Sequence, residues 1–554
     1  MRLSVTSDLW WKNAIVYCVD VETFADGNGD GIGDLPGLTE RIDYLAGLGV
    51  TCLWLLPIYP SPRRDDGYDI TDFYGIDPRF GTIGDFVELV RTAGDRGIKV
   101  LVDLVLNHTS DQHPWFQDAR SNPDSPYRDW YVWSDEKPAD TKTGIAFPDK
   151  EKSTWTYDRK AHAFYFHHFY RFQPDLDIDN QAVRDEQERI VGFWLELGVA
   201  GFRCDAIPFY LDVDGQKPST GDPHVHLRRL RGYLSRRRGD AIMLGEVNVP
   251  SKDLPSYFGG DDGDELHMSF AFPVMQAIWL SLARQHAAPL IHALDDLPAL
   301  PETGQVAQFL RNHDELTLDQ LTASEVAEVF AVFAPDEQMR LYGHGIRRRL
   351  APLLGGDPAK LRCVQSLLFS LPGTPTLFYG DEYGLGDNLD LPDRLAVRTP
   401  MQWSPRRNGG FSTAEDADLV RPVRPDGPYG YRRCNVSAQR RDPESLLNWT
   451  ERLVRTRRET PEIGWGVFSR LTTAAPSVLA HRLDWQSSTL VAVHNLSDAP
   501  AEVELQVDGL GGDAECEEVL SDQSSYPPLQ ARQRLTLPPW GYRWVRVHRP
   551  GRAP

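Results

Sequence analysis

At 554 residues, with 41% apolar residues and 15 Trp, 20 Tyr and 23 Phe, the chain can fill one large core and still carry an appended domain. A formal charge of −21 argues against nucleic-acid or anionic-membrane binding, both of which rest on basic patches, and points to a neutral or cationic substrate. No run approaches the roughly 18 apolar residues of a membrane span. The segment MRLSVTSDLWWK lacks a signal-like apolar stretch, and six cysteines lie scattered without CxxC spacing, so the expectation is a soluble cytoplasmic protein with reduced thiols.

From Ile15 onward, short apolar runs alternate with amphipathic segments, the pattern of parallel βα units. IVYCVDV (15–21) is strand one, 35–48 a helix, CLWLLPI (52–58) strand two, 83–96 a helix and KVLVDLVLN (99–107) strand three. The alternation stops at His108 and resumes near Ala182; a loop that long carries function or its own small fold. Strands four to eight follow as 201–206, 242–247, 267–272, 306–314 and 374–382. An irregular stretch, 384–440, reads as a lid-like excursion, and a helix over 445–459 closes the ring.

From Trp465, runs such as STLVAVHNL alternate in the manner of antiparallel strands. The expected architecture is a (β/α)8 TIM barrel over 1–107 and 182–464, an inserted subdomain over 108–181, and a C-terminal antiparallel β-sandwich over 465–554. The arginine runs 228–238 and 347–349 read as solvated faces.

Four of the apolar runs end in charged or polar residues: DLVLNH (103–108), GFRCDA (201–206), GEV (245–247) and RNHDE (311–315). Recurrence at the same end of successive strands is how a barrel builds a catalytic face. Arg203 and Asp205 share one face of strand four by the two-residue period, so the arginine can keep the aspartate ionised, as a nucleophile requires. Glu246 lies among Met243, Leu244 and Val247, where an apolar setting raises a carboxyl's pKa and suits a general acid. Asp314, beside His313, is a third carboxylate at the same end of the barrel.

These segments resemble the four signature regions of the α-amylase superfamily, glycoside hydrolase family 13, with a fifth at QPDLDID (173–179). The resemblance implies Asp205 as nucleophile, Glu246 as acid/base and Asp314 as transition-state stabiliser, with Arg203, His108 and His313 at sugar-binding positions. DDGYDI (65–70) resembles pocket-type members that bind one terminal glucose through Asp65 and Tyr68, and Arg398 in VRTPMQW (397–403) matches another glucose contact. FLRNHDELTL (309–318), GIRRRLAPLL (345–354) and RTPMQWSPRRNGGFS (398–412) are similar to the trehalose-synthase branch. That branch isomerises maltose and trehalose by intramolecular glucosyl transfer. Two runs depart from it: YCVDVETF (17–24) stands where it carries E-x-H-V-R-x-F, and VNVP (247–250) where it carries N-Q-W-P.

DGNGDGIGD (26–34) has the oxygen spacing of a structural Ca2+ or Mg2+ loop, with Asp26, Asn28, Asp30, the Ile32 carbonyl and Asp34 as ligands. The resemblance implies a second structural site from Asn107, Asp175, Asp212 and the Tyr210 carbonyl. No organic cofactor is expected. The partner is a small neutral α-glucoside such as maltose or trehalose, with no nucleic acid or membrane and with scope for a homo-oligomer. The alternatives are an α-glucosidase hydrolysing small α-glucosides, a glucosyltransferase with another acceptor, and a catalytically silent amylase-like binding subunit.

Overall fold

In the computed structural model, which describes residues 9–212, 222–507, 515–523 and 526–548, eight short parallel strands close into a barrel. They are β1 (Val16–Val19), β2 (Cys52–Leu55), β3 (Lys99–Leu104), β4 (Gly201–Cys204), β5 (Ile242–Gly245), β6 (Met268–Phe270), β7 (Gln305–Phe309) and β8 (Thr374–Phe378). Each pairs with its neighbours in sequence, and β1 closes the ring on β8 with Val16 opposite Thr376. Apart from Lys99 every strand residue is buried. Helices cover the outside and side chains fill the inside, so the strands read as continuous apolar runs without alternation.

Local chemistry sets the crossovers. Helix Ile83–Asp95 starts at a Thr82/Asp85 capping box and buries Phe86, Leu89 and Ala93 on one face. The helix expected over 35–48 is broken at Arg41 into Leu35–Glu40 and Ile42–Leu48. Gly49 (φ 92°) ends the second piece by donating to the Leu45 and Ala46 carbonyls, a left-handed cap that favours glycine. At the start of β4, Gly201 lies so close to β5 that a Cβ would stand 2.2 Å from the Ile242 carbonyl oxygen.

Between β3 and helix Gln181–Glu196 the chain leaves the barrel as helix Pro114–Ser121 and a three-stranded antiparallel sheet of Trp133–Ser134, Trp155–Asp158 and Ala163–Phe166. Phe116, Trp130, Tyr131, Tyr165 and Leu176 give it a small aromatic core. A bridge from His108 to Asp175 ties it back to the segment just past β3, and one from Tyr131 to Leu176 joins two of its own stretches. The segment after β8 has only short turns of helix, such as Asp393–Val397 and Val436–Gln439, before helix Leu446–Arg458.

The C-terminal region is antiparallel: a five-stranded sheet faces a two-stranded one, Ala501–Gln506 with Arg532–Leu537, whose residues alternate between buried and exposed. The two sheets share a core that includes Val478, Val491, Val503, Leu535 and Val545. His481 and His494 press it against the barrel helix Pro358–Ser370, bonding the Ser370 carbonyl and the Ser366 hydroxyl at 2.9 Å each. Among the described residues no helix is long and apolar enough to cross a membrane, and the six cysteines are unpaired. The 347–349 run is not a solvated face: Arg349 is fully buried and donates to the Tyr379 carbonyl at 2.7 Å.

Candidate active site

Arg203 organises the open end of the barrel. It extends from β4, is 0% exposed, and lies over the ring of Trp54 from β2. Its Nη1 donates to Asp103 Oδ1 at 2.7 Å and to Asp205 Oδ1 at 2.5 Å; its Nη2 donates to Glu246 Oε2 at 2.6 Å. Asp205 and Glu246 are the first residues past β4 and β5, so adjacent strands deliver them to one guanidinium. Ala206 takes a left-handed conformation (φ 48°), turning its N–H toward Glu246 Oε2 at 3.2 Å. Such a conformation is strained for a residue with a Cβ and persists where the surroundings demand it.

Asp314 comes from the loop after β7. Arg394 Nη1 donates to its Oδ1 at 2.7 Å and Arg398 Nη2 to the same oxygen at 3.1 Å; His313 Nε2 lies 3.2 Å from its Oδ2. The other arm of Arg394 reaches Asp65 Oδ1 at 2.5 Å, while Gln173 of the insertion donates to Asp65 Oδ2 at 2.9 Å. Tyr68 shares a 2.6 Å hydrogen bond with His313 Nε2 and donates to Asp103 Oδ2 at 3.2 Å, and His108 Nε2 meets the Tyr68 carbonyl at 3.2 Å. Together they enclose a cavity of about 390 Å³ that Asp65, Tyr68, His108, Asp205, Glu246, Asp314 and Arg394 all line. The insertion contributes Phe147 and Phe169 to its wall.

Burial pushes Glu246 up to about 7 and Asp205 up to about 6, in each case against the pull of Arg203. Burial acts on Asp314 too, but the His313 ring and the charges of Arg394, Arg398 and Arg203 outweigh it and hold Asp314 well below the usual carboxylate range. Burial also drives His313 far down. Burial and neighbouring charge thus push the carboxyls of Asp205, Glu246 and Asp314 in different directions, the kind of arrangement by which one site separates an acid from a base.

All nine residues expected to catalyse or bind sugar gather here: Asp65, Tyr68, His108, Asp205, Glu246 and Asp314 line the cavity, while Arg203, His313 and Arg398 lie behind that lining. Arg398 does not line the cavity; it sits behind Asp314, donating to the His313 carbonyl at 2.9 Å and to Asp66. Arg394, four residues earlier, faces the cavity instead. Sequence reasoning missed it, along with Asp103, Gln173 and Glu315. Glu315 lines the cavity, burial pushes it up to about 7, and its Oε2 has no hydrogen-bond partner. Asp103 was legible in principle, being register partner to Arg203, but pairing register is not visible in one sequence.

The loop at 26–34 has an oxygen-only donor set. Asp26 Oδ1 accepts from the N–H groups of Asn28 and Gly29, Asn28 Oδ1 from Asp30, and Asp30 Oδ1 from Ile32, so every second side chain folds over the loop. Asp34 also caps helix Leu35–Glu40, accepting from Gly37 at 2.6 Å. Hard oxygen donors on glycine-rich backbone fit Ca2+ or Mg2+, although the carboxylates of Asp26, Asp30 and Asp34 are not drawn within 4.8 Å of one another. The acidic trio that is that tight among the described residues, Asp20, Glu22 and Asp66, encloses the guanidinium of Arg421. The second set fits less well. Asp175 accepts from His168 Nδ1 at 2.5 Å, and Asp212, 61% exposed, lies 4.0 Å from His168 Nε2, so an imidazole stands between the two carboxylates. The Asn107 amide contacts His108 Nδ1 at 3.3 Å.

A parallel barrel whose strand ends hold paired carboxylates around one cavity has the form of an enzyme acting on glycosidic bonds. The family model of the alpha amylase catalytic domain matches residues 19–333 and 337–466, and that of the sucrose hydrolase-like C-terminal domain matches 488–546. The chain belongs to the α-amylase family, glycoside hydrolase family 13, and is an enzyme of it. The trehalose synthase/amylase TreS of Mycolicibacterium smegmatis is 43% identical over 100% of this chain and 95% of its own length. The trehalose synthase of Pimelobacter is 41% identical over 98% of this chain and 96% of its own. Among solved structures, a mutant of the trehalulose synthase MutB with its substrate sucrose superposes with a TM-score of 0.77 at 28% identity, covering 97% of this chain and 99% of that one.

Proposed function

We propose that the enzyme interconverts maltose and trehalose by a retaining double displacement in which the freed glucose never leaves the site. Asp205 attacks the anomeric carbon and forms a glucosyl ester while Glu246 protonates the departing oxygen. Glu246 then removes a proton from the acceptor hydroxyl as that oxygen attacks the same carbon and releases Asp205. Retaining enzymes hold two such carboxyls about 5–5.5 Å apart; here both are anchored to one guanidinium. Asp314, kept ionised, faces the positive charge of the transition state, and Asp65, Tyr68, His108, Arg203, His313, Arg394 and Arg398 hold or orient the glucosyl ring.

The observation that carries this reading is geometric: adjacent strands deliver Asp205 and Glu246 to one guanidinium, at 2.5 and 2.6 Å, with Asp314 lining the same cavity. Isomerisation further requires that water be kept from the ester, and several contacts between segments support closure. Phe147 of the insertion stacks on Tyr342 at 4.9 Å, and Lys150 pairs with Asp393 at 2.9 Å across the rim. A structural Ca2+ or Mg2+ held by Asp26, Asn28, Asp30, the Ile32 carbonyl and Asp34 is part of the proposal, with no chemical role. So is a cytoplasmic location, supported by the unpaired cysteines.

Following maltose by proton NMR tests the assignment: trehalose accumulating ahead of glucose supports it, whereas glucose as sole product makes the enzyme an α-glucosidase.

A further inference from the structure

One buried arginine outside the cavity has more charged partners than any mechanism above uses. Arg421, 3% exposed, comes from the irregular segment after β8. Its Nη1 donates to Asp20 Oδ2 at 3.0 Å and to the Arg398 carbonyl at 2.8 Å; its Nη2 donates to Glu22 Oε2 at 2.6 Å and to Asp66 Oδ1 at 2.9 Å. Asp20 and Glu22 follow β1, Asp66 follows β2, and Arg398 leads on to Asp314 after β7. One guanidinium thus ties together loops from both sides of the seam where the barrel closes.

The partners are built for it. Asp20 and Glu22, both in YCVDVETF (17–24), are buried acids, and each meets an arginine. Arg63 pairs with Glu22 at 2.8 Å and with Asp66 at 3.0 Å. Asp20, Glu22 and Asp66 thus share one network with Arg63, Arg79, Arg398 and Arg421, and Arg398 also serves Asp314. Removing one member leaves an uncompensated charge, the costly way to break a buried network. The segment that brings Arg421 is pinned as well: Asp26 N–H donates to the Phe411 carbonyl at 3.0 Å, Ser412 Oγ to Asp26 Oδ2 at 2.5 Å, and Val420 N–H to the Gly31 carbonyl at 2.9 Å.

We propose that Arg421 is a positioning residue for Asp314: by holding Asp66 and the Arg398 carbonyl, it fixes the Arg398 guanidinium that orients the carboxylate at the glucosyl end of the cavity. It touches no substrate. The proposal rests on the assignment of Asp314 under the proposed function. A lysine has one nitrogen and cannot span these acceptors as a planar fork does. Arg421→Lys therefore keeps the charge and loses the geometry.

The test uses the full chain and an aryl α-glucoside, with turnover expressed per competent site after covalent trapping by a fluoroglycosyl fluoride. Arg421→Lys is expected to lower kcat by about 10²-fold, as a displacement of about 1 Å at a reacting centre does, with KM within threefold. Affinity for 1-deoxynojirimycin, a cationic glucose mimic that needs Asp314, should fall about tenfold by calorimetry, the lesser effect expected because a bound inhibitor tolerates misplacement better than a transition state. Asp20→Asn and Glu22→Gln, which retain Arg421 but loosen it, provide a second route if the lysine variant folds poorly, and each should lower kcat per site severalfold. Variants that match the wild type per site in both turnover and inhibitor affinity overturn the proposal. So does a loss that vanishes once inactive protein is discounted. A wild type that neither turns over nor binds would instead bring down the functional assignment, and this proposal with it.

Discussion

Asp103 and Arg203 are register partners across β3 and β4, and the guanidinium that Asp103 holds at 2.7 Å is the one that carries both Asp205 and Glu246. The orientation of the reacting pair is therefore set partly from β3, one strand before Asp205 and two before Glu246. Trp54 donates to Asp103 Oδ2 at 2.9 Å, so three adjacent strands fix the arrangement before a substrate arrives. Preorganisation of this kind is what makes charged groups effective in a dry site.

Asp205→Asn removes the nucleophile while keeping its shape. Turnover of maltose should fall by roughly 10⁴-fold or more, with circular dichroism and melting temperature close to the wild type. Residual activity within a hundredfold would mean that another group attacks the sugar.

The rate of kcat/KM against pH should be bell-shaped, with limbs near 6 and near 7. Asp205 works ionised, so activity falls as pH drops below about 6. Glu246 works protonated, so activity also falls as pH rises above about 7. Glu246→Gln should abolish the alkaline limb for an activated aryl glucoside, whose leaving group needs no acid; a limb that persists assigns it to another residue, Glu315 being the neighbour that titrates in the same range.

Arg394→Ala breaks the bridge between Asp65 and Asp314 and should reduce kcat/KM by about 10²-fold. Arg394→Lys should recover little, because one guanidinium serves two carboxylates on different loops. Steady-state kinetics on maltose decides the matter.

The junction with the C-terminal domain should loosen in acid. Burial pushes His481 down to about 4 and His494 well down as well, their rings stacked 6.5 Å apart. Because the unfolded chain takes up these protons near pH 6.5, the junction keeps its full stability above that pH. The stability is lost as pH falls toward about 4. His494→Gln should flatten the acid limb of urea midpoints measured between pH 7.5 and 5; an unchanged slope assigns the acid sensitivity elsewhere.

If the 26–34 loop holds Ca2+, chelation should lower the melting temperature and added Ca2+ restore it. The gain is about 2.7 kcal/mol at a hundred times Kd. Asp30→Asn should blunt that response while leaving the trapped-site count unchanged.

The one-dimensional pattern was enough for the barrel and for placing Asp205, Glu246 and Asp314 at its strand ends, since apolar runs buried on both faces and carboxylates just past their ends are properties of short windows of chain; the roles of the three came from the family resemblance. It could not choose between Arg394 and Arg398, because the segment after β8 has no periodicity and a long arginine stem can point either way. Nor could it foresee Arg349 buried on Tyr379, His168 standing between Asp175 and Asp212, or Arg421 among Asp20, Glu22 and Asp66. Those arrangements exist only once the ring closes and brings together loops hundreds of residues apart, so that electrostatic partners are chosen by proximity in space, on which spacing along the chain is silent.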